Sequence, residues 1–143
     1  MILCLDAGNT RLKWGLHAAG GWHGQGAVEP AALDELAASL PVRPGRILAC
    51  NVAGPGVAAK IAALAAAWAV PLDWFRSSAA CCGVTNGYAN PAQLGADRWA
   101  ALLGARGLHA GAALVVMAGT ATTVDALAAA GASPGALILP GLD

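Results

Sequence analysis

One unit of sequence occurs twice in this chain. Residues 1–16 read MILCLDAGNTRLKWGL: an apolar run ending in Asp6, a small turn at Gly8, Asn9 and Thr10, and a second run alternating around Leu12, Trp14 and Leu16. Residues 113–127 repeat the plan, with an apolar run, a Gly119–Thr120 turn and a second run. Alternation with period two predicts half-buried strands, and Gly and Asn between them predict a tight turn. Two copies of a strand–turn–strand unit predict two halves of a duplicated α/β fold. The second copy has room for three strands but not for the helices that should cover them. The chain is therefore expected either to be completed by another chain or to be a fragment.

Between the copies the pattern changes period. A third strand is expected near 22–28, after a Gly20–Gly21 turn. Helical spacing with early prolines predicts helices over 29–40 and 55–70. The run RILACNVAG reads as a buried strand closing in a small-residue loop, and PLDWF as a short strand. Residues 77–93 are rich in turn formers and read as loop. A third helix is expected over 94–110. Trp14, Trp22, Trp68, Trp74 and Trp99 are read as packing residues of a core or an interface.

Composition excludes several functions. The apolar fraction is 57%, but much of it is alanine, and no apolar stretch approaches the ~18 residues of a membrane span. The apolar N-terminus lacks the basic start of a signal peptide, so a cytoplasmic protein is expected. Eight basic and eight acidic residues cancel, with no Lys/Arg cluster, which argues against nucleic acid and anionic membrane as partners. Cys4, Cys50, Cys81 and Cys82 make no CxxC pair, and His17, His23 and His109 complete no metal spacing. They read as reduced, mostly buried thiols.

The first hairpin turn carries more chemistry than a turn needs. Gly8, Asn9 and Thr10 offer backbone N–H groups, an amide and a hydroxyl to an anion, and Lys13 adds a point charge. Asp6 would repel a phosphate but can hold Mg²⁺, directly or through water, alongside phosphate oxygens. Together they suit a nucleotide triphosphate tail. An ordinary hairpin turn is the plainer alternative, since Asn and Gly favour turns in any case.

This hairpin resembles the first phosphate loop of the acetate kinase/sugar kinase/heat-shock/actin superfamily. A second resemblance is narrower. DAGNTRLKW, NVAG, NGYANPAQLGADRW, GTATT and GALILPGL stand in the order and spacing of type III pantothenate kinases, a family that includes the Bvg accessory factor group. The resemblance implies a ribonuclease H-like (actin-like ATPase) first domain with a mixed sheet flanked by helices, over residues 1–110. Residues 111–143 would hold the first strands of a second copy. It also implies the ATP-dependent phosphorylation of pantothenate to 4'-phosphopantothenate, the first step of coenzyme A biosynthesis. Asp6, Gly8, Asn9, Thr10, Lys13 and Thr120 then match the ATP-phosphate loops, with Asp6 as the Mg²⁺ position. Asp97 matches the general base, and Tyr88, Gly95, Ala96, Asp97 and Arg98 the pantothenate segment. The family also implies a homodimer and an activating monovalent cation, K⁺ or NH₄⁺, at a position occupied here by Met117. A thioether is a poor ligand for so hard a cation. Family members continue for roughly another hundred residues.

The residues themselves agree on Asp97. A carboxylate in the first turn of a helix is stabilised by the positive helix end, and beside Arg98 it would stay ionised at pH 7. The plain alternative is a helix cap beside a solvated arginine. Asp125 reads as a strand-face carboxylate close to the second loop. Two other functions compete with a kinase of pantothenate: a non-catalytic regulatory relative that keeps the fold, favoured by Met117, and another kinase or phosphatase of the superfamily.

Overall fold

The computed structural model describes residues 1–141; Leu142 and Asp143, the ends of the expected GALILPGL strand and second domain, lie outside the described residues. Its contacts form two compact units, Met1–Phe75 and Arg76–Asp143. This division precedes the 110/111 junction drawn from the sequence.

The first unit is a five-stranded mixed sheet with two helices. Its elements are β1 (Ile2–Ala7), β2 (Leu12–Ala18), β3 (Gly21–Val28), α1 (Leu33–Ser39), β4 (Arg46–Asn51), α2 (Pro55–Trp68) and β5 (Leu72–Trp74). The order across the sheet is β3-β2-β1-β4-β5. β1, β2 and β3 form an antiparallel meander, and β4 and β5 extend it in parallel. Because strand side chains alternate between faces, Leu3, Leu5 and Ala7 of β1 share the buried face while Asp6 lies on the other. That buried face packs with Leu12, Leu16, Leu33, Leu36, Ile47 and Ile61 in one core. Both α2 ends are local solutions. Pro55 sits in the first turn, where its missing N–H costs nothing. At the other end Ala69 takes a left-handed conformation and donates to the carbonyls of Ala65 and Ala66.

The second unit holds β6 (Ala80–Cys81), β7 (Val84–Asn86), α3 (Ala96–Leu108), β8 (Ala113–Ala118), β9 (Ala121–Leu127), β10 (Ala132–Ser133) and β11 (Ala136–Pro140). β8, β9 and β11 form an antiparallel sheet of order β11-β9-β8, and β10, β7 and β6 a small second one. The β8–β9 hairpin and β11 repeat the meander of the first unit, so the duplicated strand plan is present in the fold. Residues 77–93, expected as loop, contain β6 and β7. These two strands are only two and three residues long, too short to carry an alternation. The tryptophans also divide: Trp99 is fully buried, whereas Trp22 on the edge strand β3 is 58% exposed and meets His17 edge-on.

Candidate active site

The register of the first sheet builds the phosphate-loop candidate around one carboxylate. Asp6 lies opposite Lys13 on antiparallel β2 and opposite Cys50 on parallel β4. Lys13 Nζ donates to Asp6 Oδ2 at 3.1 Å, and Cys50 Sγ donates to Oδ1 at 3.2 Å. Above the pair, Gly8 N–H closes the turn on Arg11 O at 3.0 Å. A Cβ on Gly8 would stand 3.2 Å from that oxygen, which explains the glycine. Asn9 and Thr10 are exposed at the tip. Beside this hairpin, Asn51 ties the NVAG turn: its side chain donates to Gly54 O and accepts from Ala53 N–H. The Asp6–Lys13 ion pair is partly exposed, and such pairs contribute about 0–1 kcal/mol. Stability does not explain them.

Asp6 fits Mg²⁺ by donor chemistry. It offers carboxylate oxygens that are already drawn to a cation, and Mg²⁺ usually takes one or two protein carboxylates with waters and phosphate oxygens for the rest. Among the described residues no three or more His, Cys, Asp or Glu side chains gather into a metal cluster. Met117 does not fit a monovalent cation. It lies on β8 opposite Thr123 and brings sulfur where a hard cation wants oxygen.

The second constellation is built on the start of α3. Gly95 is the N-cap residue, and Asp97 stands in the first turn. A Cβ on Gly95 would lie 2.6 Å from Asp97 Oδ1, so the absent side chain is what lets the Asp97 carboxylate fold back over the helix end. Arg98, next in sequence, points elsewhere. Its Nε donates to Asp125 Oδ2 at 3.0 Å and its Nη2 to Asp125 Oδ1 at 2.7 Å, with both side chains at least nine-tenths buried. Arg98 Nη2 also donates to the Tyr88 hydroxyl at 3.3 Å. The hydrogen bonds that Asp125 accepts raise the Arg98 pKa above its ordinary value and keep it charged. The expectation that Arg98 neighbours the Asp97 carboxylate as its counter-ion is thus corrected: Asp125 takes that guanidinium.

Asn86 fixes the segment that carries Tyr88. Its side-chain amide donates to Ser78 O and Pro91 O, and its carbonyl accepts from Tyr88 N–H. Asn90 caps the short turn before α3 by accepting from Ala92 N–H. On the β8–β9 hairpin, Gly119 N–H donates to Ala121 O and Thr120 is exposed at the tip. Gly141 packs against this turn so closely that a Cβ there would stand 2.6 Å from Thr120 O.

The sequence-predicted residues therefore fall into three groups. Asp6, Gly8, Asn9, Thr10 and Lys13 share the first hairpin. Tyr88, Gly95, Ala96, Asp97 and Arg98 gather at the head of α3. Met117 and Thr120 stand on the β8–β9 hairpin, whose second strand supplies Asp125. Sequence reasoning missed Cys50, Asn86 and Gly141 and left the partner of Asp125 open. For Asn86 and Gly141 a signal existed, their places in the NGYANPAQLGADRW and GALILPGL motifs. Hydroxyls of Thr122 and Thr123 are buried without a partner among the described residues. An apolar groove of about 370 Å³, lined by Leu114, Leu127 and Pro134 among others, includes none of these site residues.

Comparison with known proteins shows the family. A family model described as type III pantothenate kinase matches residues 2–143. Curated relatives of that name come from Aromatoleum aromaticum (52% identical over 145 residues), Dechloromonas aromatica (50%) and Burkholderia mallei (49%). They align with 99–100% of this chain, which spans about 60% of the length of the first two and 56% of the third. Among solved structures, a Sinorhizobium meliloti protein provisionally assigned as a 2-dehydro-3-deoxygalactonokinase superposes with TM-score 0.54. It covers 96% of this chain and 53% of its own, at 14% identity, a likeness of fold that supports the actin-like α/β class. With the match running from residue 2 to residue 143, the chain belongs to the type III pantothenate kinase family.

Proposed function

We propose that this chain carries the phosphate loop and the substrate segment of an ATP-dependent pantothenate kinase. In this reading residues 1–110 are the first actin-like domain and residues 111–143 the start of the second. The reaction moves the γ-phosphoryl group of ATP to the primary hydroxyl of pantothenate. Phosphoryl transfer asks a protein for positioning and charge neutralisation more than for covalent chemistry. The observation that carries the reading is the Asp6–Lys13 pair beneath the Gly8 turn. An acid and a base held together at little gain in stability suit a site where Mg²⁺ and phosphate replace each as partner of the other.

The roles follow from the chemistry of each group. Turn N–H groups with Asn9 and Thr10 would bind phosphate oxygens, joined by Thr120. Lys13 would swing from Asp6 to a phosphate, and Asp6 would then be free for Mg²⁺, which supplies charge neutralisation when bound. Asp97 would accept the hydroxyl proton of pantothenate; as an acceptor-only group at a helix start it is suited to that task. Arg98, fixed by Asp125, would present its remaining N–H groups and the Tyr88 hydroxyl to the substrate. A homodimer in the cytoplasm completes the proposal. No helix among the described residues is long and apolar enough to cross a membrane.

Met117 favours a second reading, a relative that keeps the fold with little or no turnover, because it offers no oxygen ligand to an activating K⁺ or NH₄⁺. One assay separates the two. This chain is fused to the C-terminal two-fifths of the Aromatoleum aromaticum relative, and pantothenate-dependent ADP release is measured with K⁺ present. Turnover supports the kinase. A folded chimaera that binds ATP but releases no ADP supports the second reading.

A further inference from the structure

The β6–β7 hairpin presents two adjacent thiols that the kinase reading does not use. Cys81 ends β6, and Cys82 and Gly83 form the two-residue turn before β7. Their φ angles are +48° and +76°, the paired left-handed conformations of a type I′ turn. In a continuing strand neighbouring side chains point to opposite faces. Here the chain reverses at Cys82, and the two sulfurs come to 3.4 Å. Cys82 is exposed and Cys81 half-buried, while Cys4 and Cys50 belong to the first unit.

We propose that Cys81 and Cys82 form a bidentate site for one soft, thiophilic centre of the trivalent arsenical class. Bond lengths decide between the candidates. Two metal–thiolate bonds of about 2.3 Å that span 3.4 Å enclose roughly 95°, the angle of a pyramidal three-coordinate centre. A structural Zn²⁺ wants a wider angle and four ligands, and no third metal-binding side chain of the described residues joins the pair. A disulfide needs the sulfurs at about 2.05 Å, so oxidation would have to draw them together by more than 1 Å. The Cys82 thiol, by its hydrogen bond, together with burial, holds the Cys81 thiol above its ordinary pKa. Cys81 therefore keeps its proton at neutral pH, which suits a condensation. An aryl arsenoxide exchanges its oxo oxygen for two As–S bonds, both thiol protons leave with that oxygen as water, and no oxidation state changes.

The probe is phenylarsine oxide, one equivalent added to the 143-residue chain under reducing conditions. The proposal expects a single adduct by intact mass, two titratable thiols remaining of four, and fragment spectra that place arsenic on Cys81 and Cys82. It also expects the adduct to survive excess glutathione and to be stripped by 2,3-dimercaptopropanol, because only a dithiol can compete with a chelate. Cys81→Ser and Cys82→Ser, both at a surface turn, should each lose the adduct to glutathione at least tenfold faster. Equal loss from parent and single variants would overturn the proposal. So would arsenic mapped to Cys4 or Cys50, or a Cys81–Cys82 disulfide with no arsenic retained. Fragment mapping of the parent decides the matter even where a variant fails to fold.

Discussion

Arg98 and Asp125 are bound to each other through two parallel hydrogen bonds in the interior of the second unit, 27 residues apart in sequence. This fork fixes the arginine at the head of α3 and leaves Asp97, its neighbour, without a claim on it. Removing one partner of a buried pair strands the other charge, at a cost of about 3–5 kcal/mol. Asp125→Ala should therefore lower the urea midpoint steeply or prevent the second unit from folding. Replacing both partners with apolar residues, Arg98→Met with Asp125→Leu, should restore most of the loss. Equal destabilisation by the single and double changes would show that the cost is packing and not a stranded charge.

Gly95 is expected to act through Asp97. Gly95→Ala should leave unfolding within about 1 kcal/mol of the parent, since a helix cap tolerates alanine at that scale. Its methyl group would displace the Asp97 carboxylate, because the space lies 2.6 Å from Oδ1. In the chimaera kcat should fall at least tenfold with the KM for ATP unchanged. Unaltered kcat would mean that the Asp97 position seen here is not the working one.

Asp6 should separate nucleotide from substrate. Asp6→Ala removes a partly exposed ion pair and the hydrogen bond from the Cys50 thiol, so stability should change by no more than about 2 kcal/mol. Calorimetry of the chimaera should find Mg²⁺-ATP binding lost or weakened and pantothenate binding retained. The opposite pattern would refute the division of labour between the first hairpin and the head of α3.

How far the sequence foretold these contacts depends on their range. The first hairpin was legible because Asp6, the turn and Lys13 lie within eight residues, and the antiparallel register follows from turn length. Cys50 reaches Asp6 from 44 residues away through a parallel pairing, which no local spacing encodes. The same holds for the fork from Arg98 to Asp125. β6 and β7 were hidden because a strand of two or three residues has no period to detect. Trp22 misled because hydropathy does not distinguish an edge strand, where its ring lies over Gly15, from a central one.

The β11-β9-β8 sheet keeps an apolar face open. Leu114, Val116, Leu137 and Leu139 are between 47% and 70% exposed, and exposed apolar strands pair with other chains. The 143-residue chain alone should self-associate, with sedimentation showing concentration-dependent oligomers. Leu114→Lys with Leu137→Lys should shift it toward monomer. A parent that stays monomeric at high micromolar concentration would contradict this.

The central claim is that Asp97 takes a proton from pantothenate in a phosphoryl transfer, and its most direct test is one rate. Pantothenate-dependent ADP release is measured for the chimaera and for its Asp97→Asn variant at saturating substrates, with circular dichroism confirming that both are folded. A positioned general base is worth roughly 10²–10⁴ in rate, and kcat should fall by that factor while ATP binding persists. Turnover of the Asp97→Asn variant within threefold of the parent would contradict the account.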